Sequence, residues 1–268
     1  METSKARRPS PVIPTIDIVH GRTVEPSGIQ GLADPTDPIE IISHYGRQGA
    51  QRVFLDVQDS WDEWAASADV IRRADEIDVS VWITVADGFV PSLAHLESLL
   101  ELGADAVGLS TTSVERPSML HTAVQRYGSS RVVGVMNVQR VGDGRWNVVI
   151  QGDETETPLD AITWARMLAD FGASHILPNS LDQEGTGRGY DLELVRAMAD
   201  AVSVPVIASG GCGTLEHLRD GLRSGAAYVL MQKMLHDGSY SVADANSYVR
   251  QAIEPNDDDF HRTSSRAR

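Results

Sequence analysis

Only one cysteine, Cys212, occurs among the 268 residues, so no internal disulfide can form. Lysine is nearly missing as well. Lys5 and Lys233 are the only two, and Lys and Arg together number 23 against 38 Asp and Glu. The resulting net charge of −15 excludes a nucleic-acid surface, which needs clustered positive charge. No stretch approaches the eighteen or so uninterrupted apolar residues of a membrane span. The leading residues Met1 to Arg8 run into no apolar segment of signal-peptide length. These absences imply a cytoplasmic protein that touches neither membrane nor nucleic acid. What the chain does have is 41% hydrophobic residues, ample for a core, since a chain near 300 residues buries roughly three-quarters of its unfolded surface.

Short runs rich in Val and Ile recur eight times: Val12 to Val19, Arg52 to Val57, Val79 to Val85, Ala106 to Thr111, Val132 to Val138, His175 to Ser180, Val204 to Ser209 and Ala227 to Met231. Between them, apolar positions three and four apart follow a capping Asp or an early Pro and predict helices, as in the segments opening at Asp37, Pro158 and Asp191. Gly49, Gly103, Gly172 and Gly225 close helices ahead of the next strand. Eight alternations with continuously apolar strands predict an α/β fold, a (β/α)8 TIM barrel rather than an open sheet. The barrel is expected over residues 11–254, with polar, aperiodic segments at 1–10 and 255–268 as loose tails. Asp143-Gly144, flanked by Val141 and Trp146, predicts a small hairpin inserted after the fifth strand.

The chain also repeats itself. Val79-Ser-Val-Trp-Ile-Thr-Val-Ala-Asp-Gly matches Val202-Ser-Val-Pro-Val-Ile-Ala-Ser-Gly-Gly at an offset of 123, and Ser92-Leu-Ala-His-Leu matches Thr214-Leu-Glu-His-Leu at 122. Gly49-Ala-Gln-Arg pairs with Gly172-Ala-Ser-His, and Thr15-Ile-Asp with Val135-Met-Asn. A period near 120 is too long for a solenoid and implies two duplicated half-barrels.

Catalytic groups of such a barrel sit at the carboxyl ends of its strands. There the sequence places Asp17, Asp56, Asp87, Ser110, Thr111, Asn137, Asn179 with Asp182 and Glu184, Ser209 to Gly211, and Gln232 with Lys233. The repeat sets Asp17 and Asn137 opposite each other. A carboxylate can act as a general base, whereas an amide only orients a substrate by hydrogen bonds; the alternative for Asp17 is to brace a loop. Ser209-Gly-Gly-Cys-Gly before a helix leaves N–H groups for a phosphate, and Lys233 ends the eighth strand beside it. The equivalent of that loop in the first half is Ala86-Asp87-Gly88, near Ser110 and Thr111. Asp87 repels a phosphate there unless it turns away or binds a cation. The histidines lack metal-ligand spacing, Cys212 reads as a small packed residue rather than a nucleophile, and no metal or cofactor is implied. Asp59-Ser-Trp-Asp-Glu-Trp either covers the mouth or opens an acidic helix.

Five motifs now carry a resemblance. They are Pro14-Thr-Ile-Asp-Ile-Val-His-Gly-Arg, Val53-Phe-Leu-Asp, Ser113-Val-Glu-Arg-Pro, Asp182-Gln-Glu-Gly-Thr-Gly-Arg-Gly-Tyr-Asp and Val206-Ile-Ala-Ser-Gly-Gly-Cys-Gly-Thr-Leu-Glu-His. Together they resemble the histidine-biosynthesis cyclase and isomerase family, above all the cyclase subunit of imidazole glycerol phosphate synthase. The resemblance implies a substrate with a phosphate at each end and, for the cyclase, ammonia delivered through the barrel by a glutaminase partner. Several positions depart from the family pattern. Its second acid–base carboxylate is Asn137 here, its loop lysine aligns with Glu25, and its first phosphate loop is Ala86-Asp87-Gly88. The charged gate at the barrel base aligns with Pro11, Gln51, Ala106 and His175, none of fixed charge.

The expectation is therefore a divergent cyclase-like enzyme of lyase type, forming or cleaving a ring or C–N bond in a phosphorylated, sugar-derived small molecule. Asp17 is the expected base, Asn137 the orienting amide and Glu184 the acid. Gly88, Ser110, Thr111, Gly185, Gly210, Gly211 and Lys233 are expected to bind substrate or phosphate. A docked glutaminase is disfavoured. An ordinary histidine-pathway cyclase, a Schiff-base lyase using Lys233 and a non-catalytic paralogue binding a metabolite or partner remain as alternatives.

Overall fold

A computed structural model of the protein describes residues 10–151 and 155–253; apart from Ser10, the expected tails lie outside the described residues. The barrel strands are β1 (Val12–Val19), β2 (Arg52–Val57), β3 (Ser80–Val85), β4 (Ala106–Leu109), β5 (Val132–Gly142), β6 (Ile176–Ser180), β7 (Ile207–Ala208) and β8 (Tyr228–Met231). Each precedes one main helix: α1 (Pro38–Arg47), α2 (Ala65–Ala74), α3 (Leu93–Glu101), α4 (Pro117–Tyr127), α5 (Ala161–Asp170), α6 (Leu192–Ala201), α7 (Leu215–Arg223) and α8 (Val242–Ile253). Neighbouring strands pair in parallel, β8 returns to β1, and single bridges at Ile176–Val206 and Asn179–Ser209 join β6 to β7. The sheet therefore closes on itself, as the eight alternations require.

Strands buried on both faces need apolar residues at nearly every position. One set, including Ile13, Phe54, Trp82, Val133, Leu177 and Leu230, fills the barrel; a second set packs between strands and helices. Helix starts follow the capping residues: the side chains of Asp37, Asp160 and Asp191 accept from Ile39, Thr163 and Leu194 N–H. Gly49, Gly103, Gly172 and Gly225 end the preceding helices with φ between +94° and +111°.

Among the boundaries that differ from the sequence reading, three have a plain local cause. β4 stops at Leu109 because a short helix, Thr111–Glu115, begins directly after Ser110. Of the expected seventh strand only Ile207 and Ala208 form a continuous strand, with Val206 and Ser209 in single bridges to β6; Pro205 has no N–H to offer. The helix expected from Pro158 begins at Ala161, since Asp160 is its extended cap and Pro158 lies in a strand.

The insertion after β5 is the expected hairpin with one strand more. β5 pairs antiparallel with Arg145–Ile150, which pairs with Thr155–Asp160. Trp146 anchors it. Its Nε1 donates to Asp191 at 2.9 Å, and the Arg140 guanidinium lies 4.5 Å from its ring centroid while binding both Asp191 oxygens at 3.0 and 2.9 Å. One carboxylate thus caps α6 and ties the hairpin to it.

Candidate active site

Parallel pairing in register brings polar strand ends to one rim. Asp17 lies beside Asp56 and Asp56 beside Thr84; Asn137 lies beside Asn179 and Asn179 beside Ser209. They surround a cavity of about 1320 Å³ at the carboxyl ends of the strands. All ten residues expected to form the site line it: Asp17, Gly88, Ser110, Thr111, Asn137, Glu184, Gly185, Gly210, Gly211 and Lys233.

The carboxyls on the wall are perturbed. Burial raises the pKa of Asp17, Glu184 and Glu25 add to the rise, and a 2.5 Å hydrogen bond from Gln232 Nε2 opposes it. Asp56 is pushed up to about 7, first by burial and then by the charges of Asp17, Asp87 and Glu184, although Thr84 donates to it at 2.6 Å. In the sequence Asp56 is one strand-end residue among many; only its depth and its acidic neighbours single it out.

A chain of side chains crosses the opposite wall. Thr111 Oγ1 donates to Asp87 Oδ2 at 2.8 Å and Asn137 Nδ2 to Asp87 Oδ1 at 3.0 Å. Asn179 Nδ2 donates to Asn137 Oδ1 at 3.3 Å and to Glu184 Oε2 at 2.9 Å, and Ser209 Oγ donates to Asn179 Oδ1 at 2.9 Å. The carboxylate fixes the sense of the chain, because it can only accept. Asp87 has turned into the site.

The two halves differ in the backbone donors that follow β4 and β8, whereas the N–H of Gly88, like that of Gly211, has no acceptor among the described residues. In the first, the N–H groups of Ser110 and Thr112 donate to Gly88 O at 3.1 and 3.3 Å, and that of Thr111 donates to Asp87 O at 3.4 Å. In the second, the N–H groups of Gly210, Gly211 and Lys233 have no acceptor among the described residues. Both glycines there are left-handed, φ +88° and +92°, and ideal Cβ atoms on them fall 2.6 Å from Ser180 O and 2.3 Å from Gly189 O. The β6–α6 loop packs on them too closely for any side chain.

The Lys233 side chain is 81% exposed and 3.9 Å from Asp237. It is not the desolvated amine that a Schiff-base mechanism needs, so that alternative loses its basis. Burial pushes the Cys212 thiol up to about 11, which keeps it protonated. The segment after β2 forms a turn ahead of α2 beside the mouth. Its Trp61 Nε1 donates to Phe89 O at 2.6 Å, and neither Trp61 nor Trp64 lines the cavity. Among the described residues no cluster of three or more His, Cys, Asp or Glu side chains could hold a metal ion, and no helix is long and apolar enough to cross a membrane.

The base of the barrel holds a cation that the sequence pattern does not reveal. Arg52, one residue from the aligned gate position Gln51, places its guanidinium 4.0 Å from the Trp82 ring centroid and 4.8 Å from that of Tyr228. His175 meets Trp82 edge-on at 4.7 Å, and burial together with Arg52 lowers its pKa to about 4. Neither partner of this stack is close in sequence to Arg52, so no local pattern announces it.

The family described as histidine biosynthesis protein matches residues 11–241. The chain belongs to this family. Its members are (β/α)8 barrels that include isomerases and cyclases acting on phosphorylated substrates. In this chain β5 carries an amide, Asn137, at the rim and the β3 loop carries a carboxylate, Asp87.

Proposed function

We propose that this member is an enzyme of the cyclase-like, lyase type that forms or cleaves a ring or C–N bond in a sugar-derived molecule carrying one phosphate. The observation that carries this reading is the unequal supply of backbone donors. Phosphate is held at the β7–β8 rim by the N–H groups of Gly210, Gly211 and Lys233, with the Lys233 ammonium adding charge at the edge; Gly185 gives the β6 loop its turn above it.

The reacting end then lies between Asp17 and Asn137. Asp17 is the base: burial raises its proton affinity, and the Gln232 amide holds its orientation. Asn137 orients a carbonyl or amine, its own amide fixed by Asp87 and Asn179. Glu184, on the exposed side of the mouth, returns a proton as the acid. Asp56 titrates near neutrality and serves as a second carrier, since paired carboxyls of unequal pKa divide acid and base roles. The aligned gate positions Pro11, Gln51, Ala106 and His175 carry no fixed charge, which supports a reaction without a docked glutaminase.

Two measurements test this. Titration calorimetry with inorganic phosphate should give one site, weakened by Gly211→Ala; two equal sites would overturn the reading. Imidazole glycerol phosphate formation with free ammonia should be absent or slow, because loss of one acid–base group typically costs roughly a hundredfold to ten-thousandfold. A normal rate refutes the altered reaction, and Asp17→Asn without effect on any activity found removes the proposed base.

A further inference from the structure

Six carboxyl side chains line the cavity, those of Asp17, Asp56, Asp87, Glu115, Glu184 and Asp237; among the described lining residues Lys233 is the one cation, and it sits at the phosphate rim. The far wall, at the carboxyl ends of β3 and β4, is therefore a place of negative charge. The N–H groups of Ser110, Thr111 and Thr112 there are already bonded to Gly88 and Asp87 carbonyls, so they are not offered to an anion; that of Gly88, like that of Gly211, has no acceptor among the described residues. Charge alone would leave this wall a solvated acidic surface. Ser110 adds an independent observation. It lines the cavity, is 2% exposed, and its Oγ has no hydrogen-bond partner. Its Cβ lies 2.7 Å from where a Cβ on Gly88 would stand, which puts it beside the residue that follows Asp87, and the adjacent Thr111 donates to the Asp87 carboxylate. A buried hydroxyl without a partner is costly, and a ligand that supplies one removes the cost.

We propose that the β3–β4 wall is an ammonium subsite, in which Asp87 and Ser110 receive a primary amine at the end of the substrate remote from its phosphate. An ammonium presents three donors and no acceptor, matching a carboxylate and a hydroxyl oxygen; a second phosphate presents acceptors and negative charge to the same carboxylate. The substrate class narrows to amino-sugar monophosphates or their open-chain equivalents. This inference rests on the phosphate rim assigned above.

The test is calorimetry at pH 7.5 with inorganic phosphate and with three series of increasing chain length: ω-aminoalkyl phosphates, ω-hydroxyalkyl phosphates and α,ω-alkane bisphosphates. At the best length the amine should bind about tenfold to a hundredfold more tightly than the alcohol, the range for a hydrogen bond to a charged group. Asp87→Asn should erase that preference and Ser110→Ala should reduce it. Inorganic phosphate should shift by less than about threefold in both variants, because the two rims are separated and screened. Equal affinity for amine and alcohol at every length overturns the inference, as does a bisphosphate that binds best or a preference that survives Asp87→Asn. Phosphate that binds without any amine preference sinks the amine subsite alone. Failure of inorganic phosphate to bind sinks the phosphate rim and the subsite with it.

Discussion

Asp56 offers a direct measurement of how unfavourable the acidic mouth is. Its pKa moves from 3.8 to about 7 on folding, chiefly because the β2 end is desolvated and secondarily because Asp17, Asp87 and Glu184 are near. For an acid raised in this way, the native state binds more protons than the unfolded state between those two values. Stability from this group is therefore complete below pH 3.8 and is lost as pH rises toward 7. At roughly 1.4 kcal/mol per unit the full loss is about 4 kcal/mol, of which about 2–3 kcal/mol falls between pH 5 and 7. Solvent in the open mouth screens part of this, so about 2 kcal/mol is the expected difference. Asp56→Asn keeps the shape and the acceptor for Thr84 while removing the charge. The variant should match the wild type most nearly at pH 5 and exceed it by about 2 kcal/mol more at pH 8. For a chain of this size that is roughly 4–8 °C in Tm. Thermal unfolding of both proteins at the two pH values reads it. A variant-minus-wild-type difference that stays constant between pH 5 and 8 would refute the burial argument, and so would one that shrinks.

Other perturbations test separate parts of the structure. Trp146→Phe deletes the N–H that serves buried Asp191 and should cost about 1–3 kcal/mol in urea unfolding, with earlier proteolysis in the hairpin. Gly211→Ala places a Cβ 2.3 Å from Gly189 O at φ +92°, so it should destabilise by about 1–3 kcal/mol or more by the same measurement. Cys212, with its thiol at about 11, should react with iodoacetamide at pH 8 at less than about a tenth of the rate of an ordinary thiol; fast labelling would show the thiol to be more open than its burial implies. Asp87→Gly removes the wall carboxylate and should let a bisphosphate bind at least about tenfold more tightly than in the wild type, read by calorimetry.

Much of this molecule is legible in its amino-acid sequence. The runs Val12 to Val19 and Arg52 to Val57 match strands to the residue because buried parallel strands demand continuous β-branched and apolar side chains. Asp37 and Asp191 announce their helices through capping chemistry that is local. The rim residues follow from architecture, since a barrel sends every strand end to one face. Local pattern fails where distant backbone decides. Nothing near Ser110 says that its N–H faces the carbonyl of Gly88 rather than a ligand, and nothing near Arg52 says that Trp82 and Tyr228 will stack on it. Pro158 resembles a helix start because Pro favours that position, yet Asp160 competes for the same role and prevails with a side-chain hydrogen bond.

The difference between the two rims has a conformational cause that connects one residue type to the ligand. At the offset of 123, Asp87 corresponds to Gly210 and Gly88 to Gly211. A residue with a Cβ can enter the left-handed region only near φ +50° to +70°, and Ala86 and Asp87 sit at +48° and +54°. Glycine is not so confined, and Gly210 and Gly211 sit at +88° and +92°. In the tighter turn the carbonyls of Asp87 and Gly88 meet the N–H groups of residues 110–112 and consume them. In the wider turn the carbonyl of Gly211 is taken by Gly189 N–H at 2.7 Å instead, and the donors of Gly210, Gly211 and Lys233 are not consumed by the described chain. Aspartate at position 87 thus delivers a carboxylate to the wall, in a turn whose carbonyls engage the N–H groups of residues 110–112. Under the proposed reading both features disfavour an anion, and the carboxylate also attracts a cation. The same loop on the same duplicated scaffold can in this way exchange the sign of the charge it recognises.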